Sequence, residues 1–245
     1  MTDHGPSRSL PRALGLACLL GLAVPPAWAQ EKAGFTVSFA GLRAGTLAYE
    51  ASETDGRYEA RGSVRSGGLA GIVFNMRIDA TATGQVTGNR YAPTVYAEIA
   101  EERGETVSRR FRYPAGWPEI TRDPPRDRPR RHAAPADQQG GTVDPMTAVF
   151  AVLRDRPASL ACQLDIALYD GATRARIRLD QPSPIPNGLR CTGRYEREAG
   201  FSPAAMARQS VWPLTLTYRT GPEGILQVQD LQFQTNFGAA RIQRR

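Results

Sequence analysis

Few residues in this chain belong to the types that do covalent chemistry, and their spacing narrows the options. There are 3 cysteines and 2 histidines in 245 residues. Cys18 lies in an N-terminal apolar run, so the body keeps Cys162 and Cys191. An even pair in an exported chain reads as a disulfide, with two buried free thiols as the alternative. Such a bridge would stabilise the fold by roughly 3–4 kcal/mol on the chain-entropy account. Two cysteines and the one body histidine, His132, cannot fill the usual zinc ligand sets, so no metal is expected. Nucleophilic catalysis needs a histidine held by packing, whereas His132 sits in a proline-rich loop and reads as solvated. Glu98, Glu101 and Glu102 could pair for glycoside hydrolysis, but they stand at a strand end beside Arg103 and read as a solvated edge. No phosphate loop of the GxxxxGK type occurs, and no GxGxxG follows a strand and opens a helix. No catalytic residue and no cofactor is expected.

Arginine is the abundant reactive group. The formal net charge is +7. Arg109, Arg110 and Arg112 form one cluster, and Arg241, Arg244 and Arg245 another. Residues 122–131 hold five Arg and two Asp. Clustered arginine binds phosphate well. The period of two in Arg174, Arg176 and Arg178 places all three on one sheet face, making them the candidate anion-contacting set. A solvated face is the plainer reading of each cluster.

The compartment decides which anions are at hand. Arg8 and Arg12 precede the apolar run Ala13–Val24, which ends at Pro25-Pro26 and the small-x-small triplet Ala27-Trp28-Ala29. This is the pattern of a secretory signal cleaved after Ala29. Its 12 apolar residues fall short of the roughly 20 that span a bilayer. Lipid anchoring at Cys18 is disfavoured, because no leucine stands three residues before it and the apolar run continues past it. Residues 30–245 are therefore expected to form one periplasmic domain without a transmembrane segment. Nucleic acid is not an expected partner there; anionic headgroups and acidic polymers are.

The elements that would carry these residues are strands. Met76, Ile78, Ala80 and Ala82 alternate with polar neighbours, as do Ala175, Ile177 and Leu179, and Leu214, Leu216 and Tyr218. Asp55-Gly56 and Asp170-Gly171 separate alternating runs, a strong hairpin signal. Near Gln229-Asp230 the apolar phase slips by one, as a bulge would make it. About ten strands are expected, antiparallel with one solvated face. Asp144 suits a helix N-cap and Pro145 the first helical position. Met146, Val149, Phe150 and Leu153 then share one face, which would cover the sheet. Residues 114–143 carry repeated prolines and read as one long Pro/Arg-rich loop inside the domain. The glycine-rich stretch 67–74 breaks the alternation, and Gly68, Leu69, Gly71 and Ile72 make a candidate flap. The fold class is thus mainly β: a single domain of long antiparallel strands in a strongly curved sheet or open barrel, with one or two short helices packed on it.

The order of several features is similar to that of a known family. Gly45-Thr46-Leu47-Ala48-Tyr49, the glycine-rich stretch 67–74, Arg90-Tyr91-Ala92-Pro93, Asp144-Pro145-Met146-Thr147-Ala148, the hairpin 165–177, the Cys191 strand and Trp212-Pro213-Leu214 follow in sequence. In this order the chain resembles the domain of unknown function 3108, exported proteins of Gram-negative bacteria, over about residues 33–243. The resemblance implies a β-rich exported domain of unassigned activity and transfers no catalytic residue.

The expectation from the whole sequence is a non-enzymatic module that holds an apolar or lipid-like ligand, or a lipidated protein, in a concave sheet. An envelope assembly or scaffold factor with a protein partner is the alternative. An envelope glycan or lipid hydrolase is the third.

Overall fold

The computed structural model describes residues 1–2, 29–68, 76–102, 104–235 and 238–245. Residues 3–28 of the segment read as a signal therefore lie outside the described residues, and so do Leu69, Gly71 and Ile72 of the candidate flap. Of that set only Gly68 is described, with a left-handed backbone (φ 64°).

Alternation becomes long strands throughout. In chain order they are β1 (Ala29–Phe39), β2 (Leu42–Thr54), β3 (Arg57–Ser66), β4 (Met76–Thr87), β5 (Arg90–Glu102), β6 (Glu105–Arg112), β7 (Glu119–Asp123), β8 (Leu164–Tyr169), β9 (Arg174–Ile185), β10 (Gly188–Ala199), β11 (Val211–Thr220), β12 (Leu226–Thr235) and β13 (Gly238–Arg244). All 13 join one sheet in the order β7-β6-β5-β4-β3-β2-β1-β13-β12-β11-β10-β9-β8. Every named pairing is antiparallel, and β1 meets β13 with Phe35 opposite Arg244. The first and last strands of the sheet thus meet in its middle, and the edge strands are β7 and β8.

Local rules explain the details. Asp55-Gly56 turns β2 into β3, with Asp55 and Gly56 both at positive φ as a tight hairpin turn demands. Thr217 faces Asp230 while Tyr218 faces Val228, so Gln229 is the extra residue of a bulge. Pro182 and Pro184 fall beyond the part of β9 that β8 covers, Arg174–Leu179. A proline can sit there because the missing N–H faces no partner strand.

The gap between the two edges is filled by the chain itself. After β7 the chain runs inward and forms helix α1 (Pro145–Leu153). Asp144 caps it, accepting hydrogen bonds from the Thr147 N–H at 2.8 Å and the Thr147 hydroxyl at 2.6 Å. Tyr58 of β3 shares a 2.8 Å hydrogen bond with that hydroxyl. The expected single apolar face is too small an account. Ala148, Ala151 and Val152 are buried together with Met146, Phe150 and Leu153, while Val149 is half-buried. A helix buried nearly all round is inside a core, not laid upon it. Gly62 makes room for it, since a Cβ there would lie 2.7 Å from the Met146 sulfur.

One correction to the sequence reading follows. The 114–143 segment is not all loop: Glu119–Asp123 form β7, paired to β6 through Ile120 opposite Phe111. Flanking prolines hide a strand of only five residues. A second helix, α2 (Pro203–Arg208), stands between β10 and β11, capped by Ser202. The later part of the excursion follows the β8 edge, where Val143 accepts from the Tyr169 N–H and donates to the Ala167 carbonyl. Cys162 and Cys191 form a disulfide with a Cα–Cα distance of 5.2 Å, joining the approach to β8 to the middle of β10.

Candidate functional site

The inward-facing side chains of the sheet and α1 form one packed core, with Phe35, Tyr58, Tyr96, Phe111, Leu153 and Leu216 all but fully buried. The larger cavity that the described residues line, about 1080 Å³, lies elsewhere. Three register rows cross β1 to β7 at this place. Ala33, Tyr49, Gly62, Ala80, Glu98, Arg109 and Arg122 face each other in the middle row. Gly62 points at α1, so this row faces inward. The flanking rows face solvent, and both line the cavity, whereas the next inward side chains, such as Leu47, Tyr96 and Phe111, do not. The cavity is therefore a trough across the outer face of the sheet, with the backbone of the middle row as its floor.

Small side chains keep the trough open. One outer row runs Gly34, Ala48, Ser63, Asp79, Ile99 and Ser108, and the other carries Thr81 and Ala97 at its centre. Ile99 is a large apolar residue with 55% of its surface exposed. Charged side chains stand at the flanks. Lys32 pairs with Glu50 at 3.4 Å, and Arg65 holds Asp79 at 2.6 Å. Arg61 and Arg110 are exposed, and their stems can lie along an apolar guest while their heads stay wet. Seven strands at the usual spacing span about 29 Å. That exceeds the roughly 15 Å depth of one bilayer leaflet.

The candidate anion ladder is a set of paired charges. Glu198 receives both the Arg174 Nε–H at one oxygen and the Arg176 Nε–H at the other. Asp165 takes Arg176 at 2.8 Å and Arg178 at 3.3 Å. Arg174 also donates to the carbonyls of Gln138 and Gly140. Partial burial pushes Glu198 up, but its hydrogen bonds from Arg174 and Arg176 outweigh that and hold it below the ordinary carboxylate range. The ladder links β8, β9 and β10 and ties the excursion to them.

The carboxylates read as solvated divide. Glu101 is exposed, but Glu98 is buried, accepts from the Tyr96 hydroxyl and pairs with Arg109 at 3.1 Å. The phase of β5 carries the signal for this, because Tyr96, Glu98 and Ala100 share a face and their apolar members point inward.

Two carboxyls have raised pKa values, Glu31, which the sequence reading does not single out, and the helix cap Asp144. Burial pushes Glu31 up to about 7 against the opposing hydrogen bond from Tyr49, with repulsion from Asp155 adding to it. The Asp155 N–H donates to Glu31 at 2.9 Å, and Arg244 grips Asp155 at 2.6 Å. Tyr49 also donates to the Leu153 carbonyl at the end of α1. Burial likewise raises Asp144 to about 6. Both clusters anchor the ends of α1. Among the described residues no group of three or more His, Cys, Asp or Glu is placed to hold a metal ion.

Among the described residues, an unclosed antiparallel sheet of 13 strands packed around a buried helix defines a mainly β protein. The chain belongs to the family described as Protein of unknown function (DUF3108), whose model matches residues 34–181. The strands beyond that match, β10 to β13, continue the same sheet. A solved structure from Brucella abortus, a beta-barrel-like protein of domain of unknown function DUF1849, is similar with a TM-score of 0.46 and 11% identity, over 91% of this chain and 97% of that one. No curated protein matches the chain.

Proposed function

We propose that this chain is a non-enzymatic, exported binding module that holds an apolar or lipid-like group across the outer face of β1–β7. The trough carries this reading: a long backbone floor between rows where Gly34, Ala48, Ser63, Thr81, Ala97 and Ser108 leave room, with Ile99 exposed in it and charges beside it. The guest is expected on this face because α1 occupies the concave one. The disulfide suits an oxidising compartment. No helix of the described residues is long and apolar enough to cross a membrane. Glu31 and Asp144 are engaged at the ends of α1, and Glu98 beneath the trough is held by Tyr96 and Arg109.

Native mass spectrometry of protein released gently from the periplasm, with lipid analysis of the same sample, tests the reading. A stoichiometric lipid adduct is expected, and Ala97→Arg or Ile99→Glu should strip it while leaving the circular dichroism spectrum unchanged. A clean apo mass for the unsubstituted protein, or an adduct that survives both substitutions, would overturn it.

A further inference from the structure

A second, smaller cleft of about 410 Å³ lies at the seam of the sheet, where β6 and β7 face the excursion and the β8–β9 turn. Arg109 and Arg122 reach it from the inner face, and Arg126 and Arg130 reach it from the proline-rich segment. The prolines set this geometry: Pro125 and Pro129 line the same cleft and hold the segment off the strands. Gly171 closes the far side. It has φ of 89°, and a Cβ there would meet Phe111 at 3.3 Å.

The acids near this cleft are already committed. Glu98 pairs with Arg109 through one guanidinium nitrogen. Asp170 accepts from the backbone N–H groups of Ala172 and Thr173 and from the Thr173 hydroxyl. Among the described residues neither Arg126 nor Arg130 forms an ion pair. The Nε–H groups of Arg109 and Arg122 are buried and have no acceptor, an arrangement that leaves desolvated donors uncompensated. Burial, followed by the nearby charges of Arg130, Arg122 and Arg109, lowers the pKa of Arg126, as expected where cations converge without a counterion.

We propose that this cleft binds a phosphate monoester. Four guanidinium groups against two carboxylates leave two positive charges, which a phosphate dianion matches and a carboxylate does not. Arginine forks suit the several oxygens of a phosphate. The cleft is larger than a bare phosphate ion, so a phosphorylated molecule fits it, either a soluble one or a lipid headgroup. This inference does not depend on the trough.

Phosphorus NMR of phenyl phosphate titrated with the purified chain tests it, with phosphatidic acid vesicles as a second arm. Phenyl phosphate should broaden on addition of protein, and R126Q/R130Q should weaken binding at least about tenfold, as loss of charge-assisted hydrogen bonds predicts. Both arginines are exposed loop residues, so the fold should survive. As a check on unsubstituted protein, phenyl phosphate should protect Arg126 and Arg130 from phenylglyoxal, read by peptide mass. Capture by the vesicles that the same substitutions abolish assigns a headgroup, and phenyl phosphate binding without capture assigns a soluble ligand. Absence of both, binding indifferent to R126Q/R130Q, or no protection of the two arginines would overturn the proposal.

Discussion

Glu31 shows how one side chain can make this fold respond to pH. It is tied to Tyr49 and Asp155 in a half-closed cluster, and its pKa rises from 4.5 to about 7. A carboxyl with a higher pKa folded than unfolded binds its proton more tightly in the native state. Its contribution to stability is therefore fully present below pH 4.5 and lost as the pH climbs through about 7. Glu31→Gln mimics the protonated form, so its stability relative to the parent should rise between pH 5 and pH 8, as measured by urea unfolding. A difference that stays flat would remove Glu31 from the account. Neither the half-buried Glu31 nor the buried Glu98 was legible as such. Charged residues are rarely inside, and composition outweighs phase when a strand is read alone. The cysteine pair was legible because its argument needs only parity and compartment. The arginine ladder was legible as a shared face, but Asp165 and Glu198 come from neighbouring strands, and sequence does not place them opposite it.

At the scale of elements, the disulfide is the contact that most directly holds the β8 edge. It fastens the chain just before β8 to β10, with a sequence separation of 29. Replacing both cysteines with serine should lower the unfolding free energy by about 3 kcal/mol on the chain-entropy account. Denaturant unfolding checks this, with unchanged far-ultraviolet circular dichroism as the control for the sheet. Helix α1 was legible from Asp144 and Pro145, which fix its start by chemistry that needs no tertiary context. Its burial on nearly every side was not, since a strongly apolar short helix has no polar face to report where it sits. Helix α2 carries a like start, a capping residue before proline, at Ser202-Pro203, but six residues give too little periodicity to read. Strand β7 was hidden for a similar reason.

For the whole molecule, the curved antiparallel sheet was legible, and its closing arrangement was not. Alternation and Asp-Gly turns define hairpins, which are local. The pairing of β1 with β13 joins strands far apart in the sequence, and nothing in either strand alone announces the other. The last strand should therefore matter out of proportion to its length. Deleting Gly238–Arg244 would bare one edge of β1 and one of β12 in the middle of the sheet. Unpaired edges recruit other chains. The shortened protein is expected to sediment as aggregates under conditions where the full chain is monodisperse; a monodisperse truncated chain would show that β1 and β12 pair without it.

That same pairing imposes an order in time. In chain order β13 follows every other strand of the sheet, so β1 keeps one side open until β13 is in place. Contacts between such distant segments form slowly, and unfinished sheets are prone to misassembly. Until the two strands meet, the sheet is incomplete at its middle. The protein's yield in a cell is thus expected to depend on whatever shields that first strand during the wait.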